Sequence, residues 1–234
     1  MTIDIQRFDN RETMLEALLQ VIIGDIETAL QRNSSATLLL SGGSTPAPLY
    51  QQLSQARIDW EKVHIALVDE RWVTTDNPAS NERLLHETLL VNHAKTARFT
   101  GMKNAAASAF DGVQACNLEY AKLPLPHTVC LLGMGPDGHT ASLFPQAQGL
   151  AEALEVHQHC AAIRAQQSAV TGELIERMTM TPWSILQSER LILLITGADK
   201  WEVLQQARAF DDATLMPISH FIDSEIPLEV YWAP

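Results

Sequence analysis

Long apolar runs are missing from this chain. Stretches such as Leu191–Ile195 fall far short of the ~20 residues that cross a bilayer, which excludes a membrane-spanning helix. The opening segment, Met1–Asn10, lacks the basic-then-apolar build of a secretory signal, so a cytoplasmic location is expected. Cysteine is scarce too: Cys116, Cys130 and Cys160 are an odd number without metal-type spacing, which argues against a disulfide framework or a zinc knot. Basic residues are outnumbered, 16 Lys plus Arg against 28 Asp plus Glu, and the formal net charge of −12 repels nucleic acid and anionic membrane surfaces. The same field repels phosphorylated metabolites, so a phosphate-bearing ligand requires basic side chains that converge locally.

No internal repeat, low-complexity tract or Pro/Gly/Ser linker divides the 234 residues, and one domain spanning 1–234 is expected. Hydrophobic residues make up 46%, enough for a sizeable core. Four short apolar, β-branched runs stand out: Ala36–Leu40, Val63–Val68, Thr128–Leu132 and Leu191–Thr196. Runs of this kind suit strands buried on both faces. Helix-period stretches lie between and around them, at Glu12–Gln31, Ala47–Gln55, Asn81–Val91, Ala105–Leu123 and Trp201–Phe210. The alternation predicts an α/β fold, a doubly wound, mostly parallel sheet with helices on both faces. Weaker strands are expected at Ala97–Met102, Cys160–Ile163, Arg177–Thr181 and Leu228–Trp232.

Each strong strand ends in an unusual polar segment: Ser41–Pro46, Asp69–Trp72, Gly133–Thr140 and Gly197–Lys200. Open parallel sheets bind ligands outside the carboxyl ends of their strands, so these four turns predict a site on one edge. In Ser41-Gly42-Gly43-Ser44-Thr45-Pro46, Thr45 reads as an N-cap and Pro46 as the first helical residue, leaving amides and hydroxyls for an anion. An ordinary strand-to-helix turn has the same composition. Asp199 and Glu202 form a capping-box pattern that sets Lys200 at the start of a helix, against the helix dipole, unless an anion or solvent takes up its charge. Arg177, Thr179 and Thr181 alternate with Met178 and Met180 as on a strand with one polar face, from which an arginine can clamp a phosphate or point into water.

Gly133-x-Gly135-x-x-Gly138 matches a dinucleotide fingerprint, but Pro136 interrupts the turn and Asp137 puts negative charge where a pyrophosphate would lie. The glycines instead bring Asp137 and His139 to the strand end. The remaining histidines are scattered, and His157-x-His159 has no partner that would complete a metal site.

Taken in order, Ser-Gly-Gly-Ser-Thr-Pro (41–46), Asp-Glu-Arg-Trp-Val (69–73), Ser80-Asn81, Gly-Met-Gly-Pro-Asp-Gly-His-Thr-Ala-Ser-Leu-Phe-Pro (133–145), Arg177 with Thr179, and Gly197–Lys200 resemble the 6-phosphogluconolactonase family, related to the glucosamine-6-phosphate isomerases and deaminases. The resemblance implies hydrolysis of 6-phosphoglucono-δ-lactone to 6-phosphogluconate in the oxidative pentose phosphate pathway, with no metal and no organic cofactor. It implies that Gly42, Gly43, Ser44 and Thr45 cradle the phosphate while Arg177 and Lys200 supply charge. Asp69, Arg71, Asp137 and His139 would surround the lactone ring, with His139 assisting a water. Either Asp137 or Asp69 would orient His139, and Arg71 would stabilise the carbonyl oxygen or hold a carboxylate. Two competing readings stand beside this one. A sugar-phosphate isomerase/deaminase would use Asp69 as base, and a non-catalytic sugar-phosphate sensor would need a DNA-binding helix-turn-helix for which the chain has neither length nor basic charge. The oligomeric state is not written in the sequence; a monomer acting on a small sugar-phosphate lactone is the expectation.

Overall fold

The computed structural model describes residues 3–234. Its strands are β1 (Asp4–Arg7), β2 (Ala36–Leu40), β3 (Val63–Leu67), β4 (Asp69–Arg71), β5 (Arg98–Thr100), β6 (His127–Leu132), β7 (Cys160–Arg164), β8 (Glu176–Met180), β9 (Ser188–Thr196) and β10 (Leu228–Ala233). Its helices are α1 (Arg11–Asn33), α2 (Ala47–Leu53), α3 (Asn81–Thr88), α4 (Ala109–Tyr120), α5 (Leu150–Glu155), α6 (Pro182–Ile185), α7 (Ala198–Ala207) and α8 (Ser219–Ile222).

Seven strands form one parallel sheet in the order β1-β10-β9-β6-β2-β3-β5. The four strong apolar runs of the sequence are its four consecutive central strands, β9, β6, β2 and β3. Every residue of β2 and of β6 is buried. Alternate side chains of a strand point to opposite faces, so both faces are covered, as a doubly wound α/β fold requires. The weaker runs supply β5 and β10 at or near the edges, and β1 was not foreseen.

Side-chain caps start several of the helices; α4 begins at Ala109, inside the expected Ala105–Leu123 stretch, because Ser108 caps it there. Ser80, Ser108 and Thr181 each accept a bond from the amide three residues on. Two expected starts are corrected. Helix α2 begins at Ala47 with Pro46 as its cap residue, so Thr45 belongs to the preceding turn. Helix α7 begins at Ala198, because Gly197, not Asp199, is the cap residue and turns the chain two residues early at φ 89. That glycine is tied to β10: its N–H donates to Ala233 O at 2.9 Å, and Trp232 Nε1 donates to its carbonyl at 3.0 Å. Asp199 and Lys200 therefore lie within the first turn, and no side chain caps it.

A second sheet, β4-β8-β7, is antiparallel and was not expected. Val68 is the joint between the sheets, its N–H donating to Leu40 O and its carbonyl accepting from Met180 N. Asp69–Arg71, read from the sequence as a turn, is thus a strand. Arg177–Thr181 does not present a polar face to solvent either, because β8 is the middle strand and all five residues are buried.

Strand alternation sends Asp69 and Arg71 to one face of β4 and Glu70 to the other. Glu70 is completely buried. Its Oε1 accepts from Arg71 N and Asn81 N, and its Oε2 from Ser80 Oγ and Glu82 N, all at 2.8–2.9 Å. Two of these donors are the first amides of α3, which have no partner inside the helix and favour a negative charge. Burial pushes the Glu70 carboxyl up, and the four donors pull it part of the way back. Glu70→Gln keeps the shape, but whichever way the amide turns its NH₂ meets a backbone N–H. The variant should lose about 1–3 kcal/mol, read as a lower urea midpoint at unchanged slope; a midpoint equal to the parent's would dismiss the clamp.

Candidate active site

From β2 the chain proceeds outward through β3 to β5, and from β6 outward on the other side through β9 to β10. The order therefore reverses between β2 and β6, and a crevice opens outside the carboxyl ends of strands at such a switch point. A cavity of about 290 Å³ lies there. The 41–46 turn, Asp69, Arg71 and Asn81 form part of its wall; Leu132–Gly135, His139, Ala141, Val170, Leu194 and Lys200 complete it.

Of the expected site residues, Gly42, Gly43, Ser44, Thr45, Asp69, Arg71, His139 and Lys200 reach this cavity. Gly42 is where α3 comes closest, since a Cβ there would lie 1.9 Å from Asn81 Oδ1. Lys200 is half-buried, and burial, helped by the charge of Arg11, lowers its pKa. An anion would relieve both effects.

Asp137 does not line the cavity but acts on a residue that does. Its Oδ1 lies 2.5 Å from His139 Nδ1 and also accepts the His139 backbone N–H. Burial raises the Asp137 carboxyl and the bonds from His139 outweigh it, so its pKa is lowered and it stays ionised. The pair leaves His139 Nε2 as the nitrogen available to a ligand. Gly135 makes room for the ring, because a Cβ at that position would lie 2.1 Å from both Cε1 and Nδ1 of His139.

Asp69 has other partners. Ser142 Oγ donates to its Oδ2 at 2.6 Å, and Asn81 Nδ2 donates to its backbone oxygen at 2.9 Å and to Oδ1 at 3.3 Å. Arg71 donates from Nη1 to Ala79 O at 2.7 Å, and among the described residues it forms no ion pair with a carboxylate. Arg177, paired in register with Arg71, is buried and is not among the cavity-lining residues; its guanidinium is 5.6 Å from the Phe144 ring centre. Nη2 donates to Thr171 O, whereas Nε and Nη1 are buried without partners. Burial, and then Arg71, pull its pKa down to about 10.

Asn81, Ser142 and Val170 were not foreseen as individual contributors. Asn81 and Ser142 lay inside recognised motifs, but nothing in the sequence said that they meet at Asp69. Val170 comes from the 165–176 segment, whose conformation the sequence left unread. The other histidines have structural surroundings: His157 stacks on Trp183, and His159 Nδ1 lies 3.0 Å from Ser184 Oγ. His127 is buried at the opposite end of β6, where burial lowers its pKa to about 4. No group of three or more His, Cys, Asp or Glu suited to a metal occurs among the described residues.

Comparison with known proteins gives the family and the fold. The chain is 38% identical to a 6-phosphogluconolactonase of Rhizobium meliloti, over the full length of both. It is 37% identical to one of Mesorhizobium japonicum, covering 97% of this chain and 94% of the relative. The fold superposes on the crystal structure of a 6-phosphogluconolactonase from Shewanella baltica with a TM-score of 0.95 at 36% identity, covering 100% of this chain and 98% of that one. The family model described as glucosamine-6-phosphate isomerases/6-phosphogluconolactonase matches residues 9–232. With that match across nearly its whole length, the chain belongs to the glucosamine-6-phosphate isomerase/6-phosphogluconolactonase family.

Proposed function

We propose that the chain, acting as one domain, hydrolyses 6-phosphoglucono-δ-lactone to 6-phosphogluconate by histidine-assisted attack of water. The observation that carries this reading is the Asp137–His139 pair, with one ring nitrogen committed to a carboxylate and the other left for the cavity. The names of its full-length relatives support it. Asp69, the base that an isomerase or deaminase would use, already receives bonds from Ser142 and Asn81, which disfavours that alternative.

The 6-phosphate is placed against the amides and hydroxyls of Gly42–Thr45 with Lys200 beside them, and the buried Arg177 adds charge. Asp137 holds the proton on His139 Nδ1, so Nε2 takes a proton from the attacking water while the water oxygen bonds to the lactone carbonyl carbon. Arg71 is held by Ala79 and turns the rest of its fork to the negative charge that grows on the carbonyl oxygen. When the tetrahedral intermediate collapses, the ring C–O bond breaks and His139 returns its proton to the departing oxygen. No separate protein nucleophile is needed, because the lactone is an activated ester.

The deciding assay follows acid release from freshly generated lactone above its spontaneous opening, with glucosamine 6-phosphate as the contrasting substrate. Turnover of the amino sugar in place of the lactone would overturn the proposal. Lys200→Ala is expected to weaken binding by about 1.5–3 kcal/mol, raising KM and narrowing the preference for phosphorylated over plain gluconolactone. Unchanged KM and unchanged preference would put the phosphate elsewhere. His139→Ala should fold and bind 6-phosphogluconate yet lose roughly 10²–10⁴ in kcat. Near-parental turnover in that variant would move the acid–base role to another group.

A further inference from the structure

We propose that Phe144 is a positioning residue for His139, holding the imidazole in the plane from which Nε2 addresses the lactone. The proposal rests on the reading above, in which His139 transfers the proton. The two ring centres are 4.2 Å apart, with the planes inclined by 31°. Asp137 and Gly135 meet the ring only along its Nδ1–Cε1 side. A hydrogen bond at one nitrogen leaves the imidazole free to swing about that contact, whereas a flat partner on its face removes the swing. The Phe144 face also favours the imidazolium that forms when the water gives up its proton.

The phenyl ring is itself held. Phe144 is almost wholly buried, and the Arg177 guanidinium rests against the same ring. The chain returns to His139 through a tight turn in which Leu143 N donates to Thr140 O and Ala141 adopts φ 48. A non-glycine residue in the left-handed region is disfavoured and needs outside support. Ser142 provides it, with its Oγ on Asp69 and its N–H on Thr179 Oγ1. Thus Phe144 is delivered to the histidine by a turn anchored on the small sheet, and its contact with His139 is more than core packing.

A double-mutant cycle separates positioning from general packing. Phe144→Leu and Phe144→Met both refill the space without a flat face, and each is made in the parent and in the His139→Ala background. In the parent, the loss of orientation should lower kcat by about 10–100-fold with KM moved by less than roughly threefold. In the His139→Ala background, the same substitutions should cost nothing further in kcat. Equal losses in both backgrounds, a loss carried by KM, or parental kcat in both ringless variants would overturn the proposal. Thermal midpoints confirm that the compared proteins are folded, and Phe144→Met serves alone if Phe144→Leu does not fold. Failure of the underlying reading is distinguishable, since His139→Ala alone would then keep its turnover, and the proposal would fall with it.

Discussion

A carboxylate removed from water has few acceptable geometries, and Glu70 occupies one of them. Its four donors come from its own strand and from the entrance of α3, so the strand and the helix are locked in one relative position. That position brings Asn81 over Asp69, and Asp69 in turn receives Ser142. Ser142 pins the strained turn at Ala141, and the turn carries Phe144 back to His139. The longest step, from Asp69 to Ser142, joins segments 73 residues apart. Glu70 and His139 do not touch, and this series of contacts is what connects them.

The second constraint is electrostatic. A chain with a formal charge of −12 must concentrate cations to hold a phosphate. In the proposed reading Lys200, half-buried at the cavity, and the buried Arg177 are those cations, placed where screening is weak and an opposite charge is worth more. Burial lowers the pKa of both groups, and a neighbouring anion would act in the opposite direction. At about 10, Arg177 still carries its proton at neutral pH, and its two unpartnered nitrogens strengthen the local preference for negative charge.

The crevice between β2 and β6 is a property of the winding, and many unrelated chemistries use such a crevice. One family description covers both isomerases and lactonases, so membership alone does not select the reaction. The selection lies in side chains a few ångströms apart. A histidine braced by a carboxylate suits proton transfer with water, while an aspartate already engaged by a hydroxyl and an amide is a poorer base.

Local chemistry made much of this protein legible in its sequence. Continuous apolar runs marked the four central strands because strands buried on both faces leave no polar alternation. The helix-period stretches at Asn81–Val91 and Ala105–Leu123 marked α3 and α4, although the second helix starts later, where the Ser108 hydroxyl satisfies an orphan amide. The polar turns at Ser41–Pro46 and Gly133–Thr140 marked the site because the carboxyl ends of parallel strands share one edge. Non-local pairing was not legible. Asp69–Arg71 is a strand only because β8 lies beside it, α7 starts early only because β10 grips Gly197, and Arg177 is buried only because β8 is a middle strand. The choice of Asp137 as the partner of His139, and the contact with Phe144, depend on how turns fold back in three dimensions. Spacing along the chain reports which groups are near in sequence, whereas orientation, burial and the choice between two carboxylates are set by residues that arrive from elsewhere in the fold.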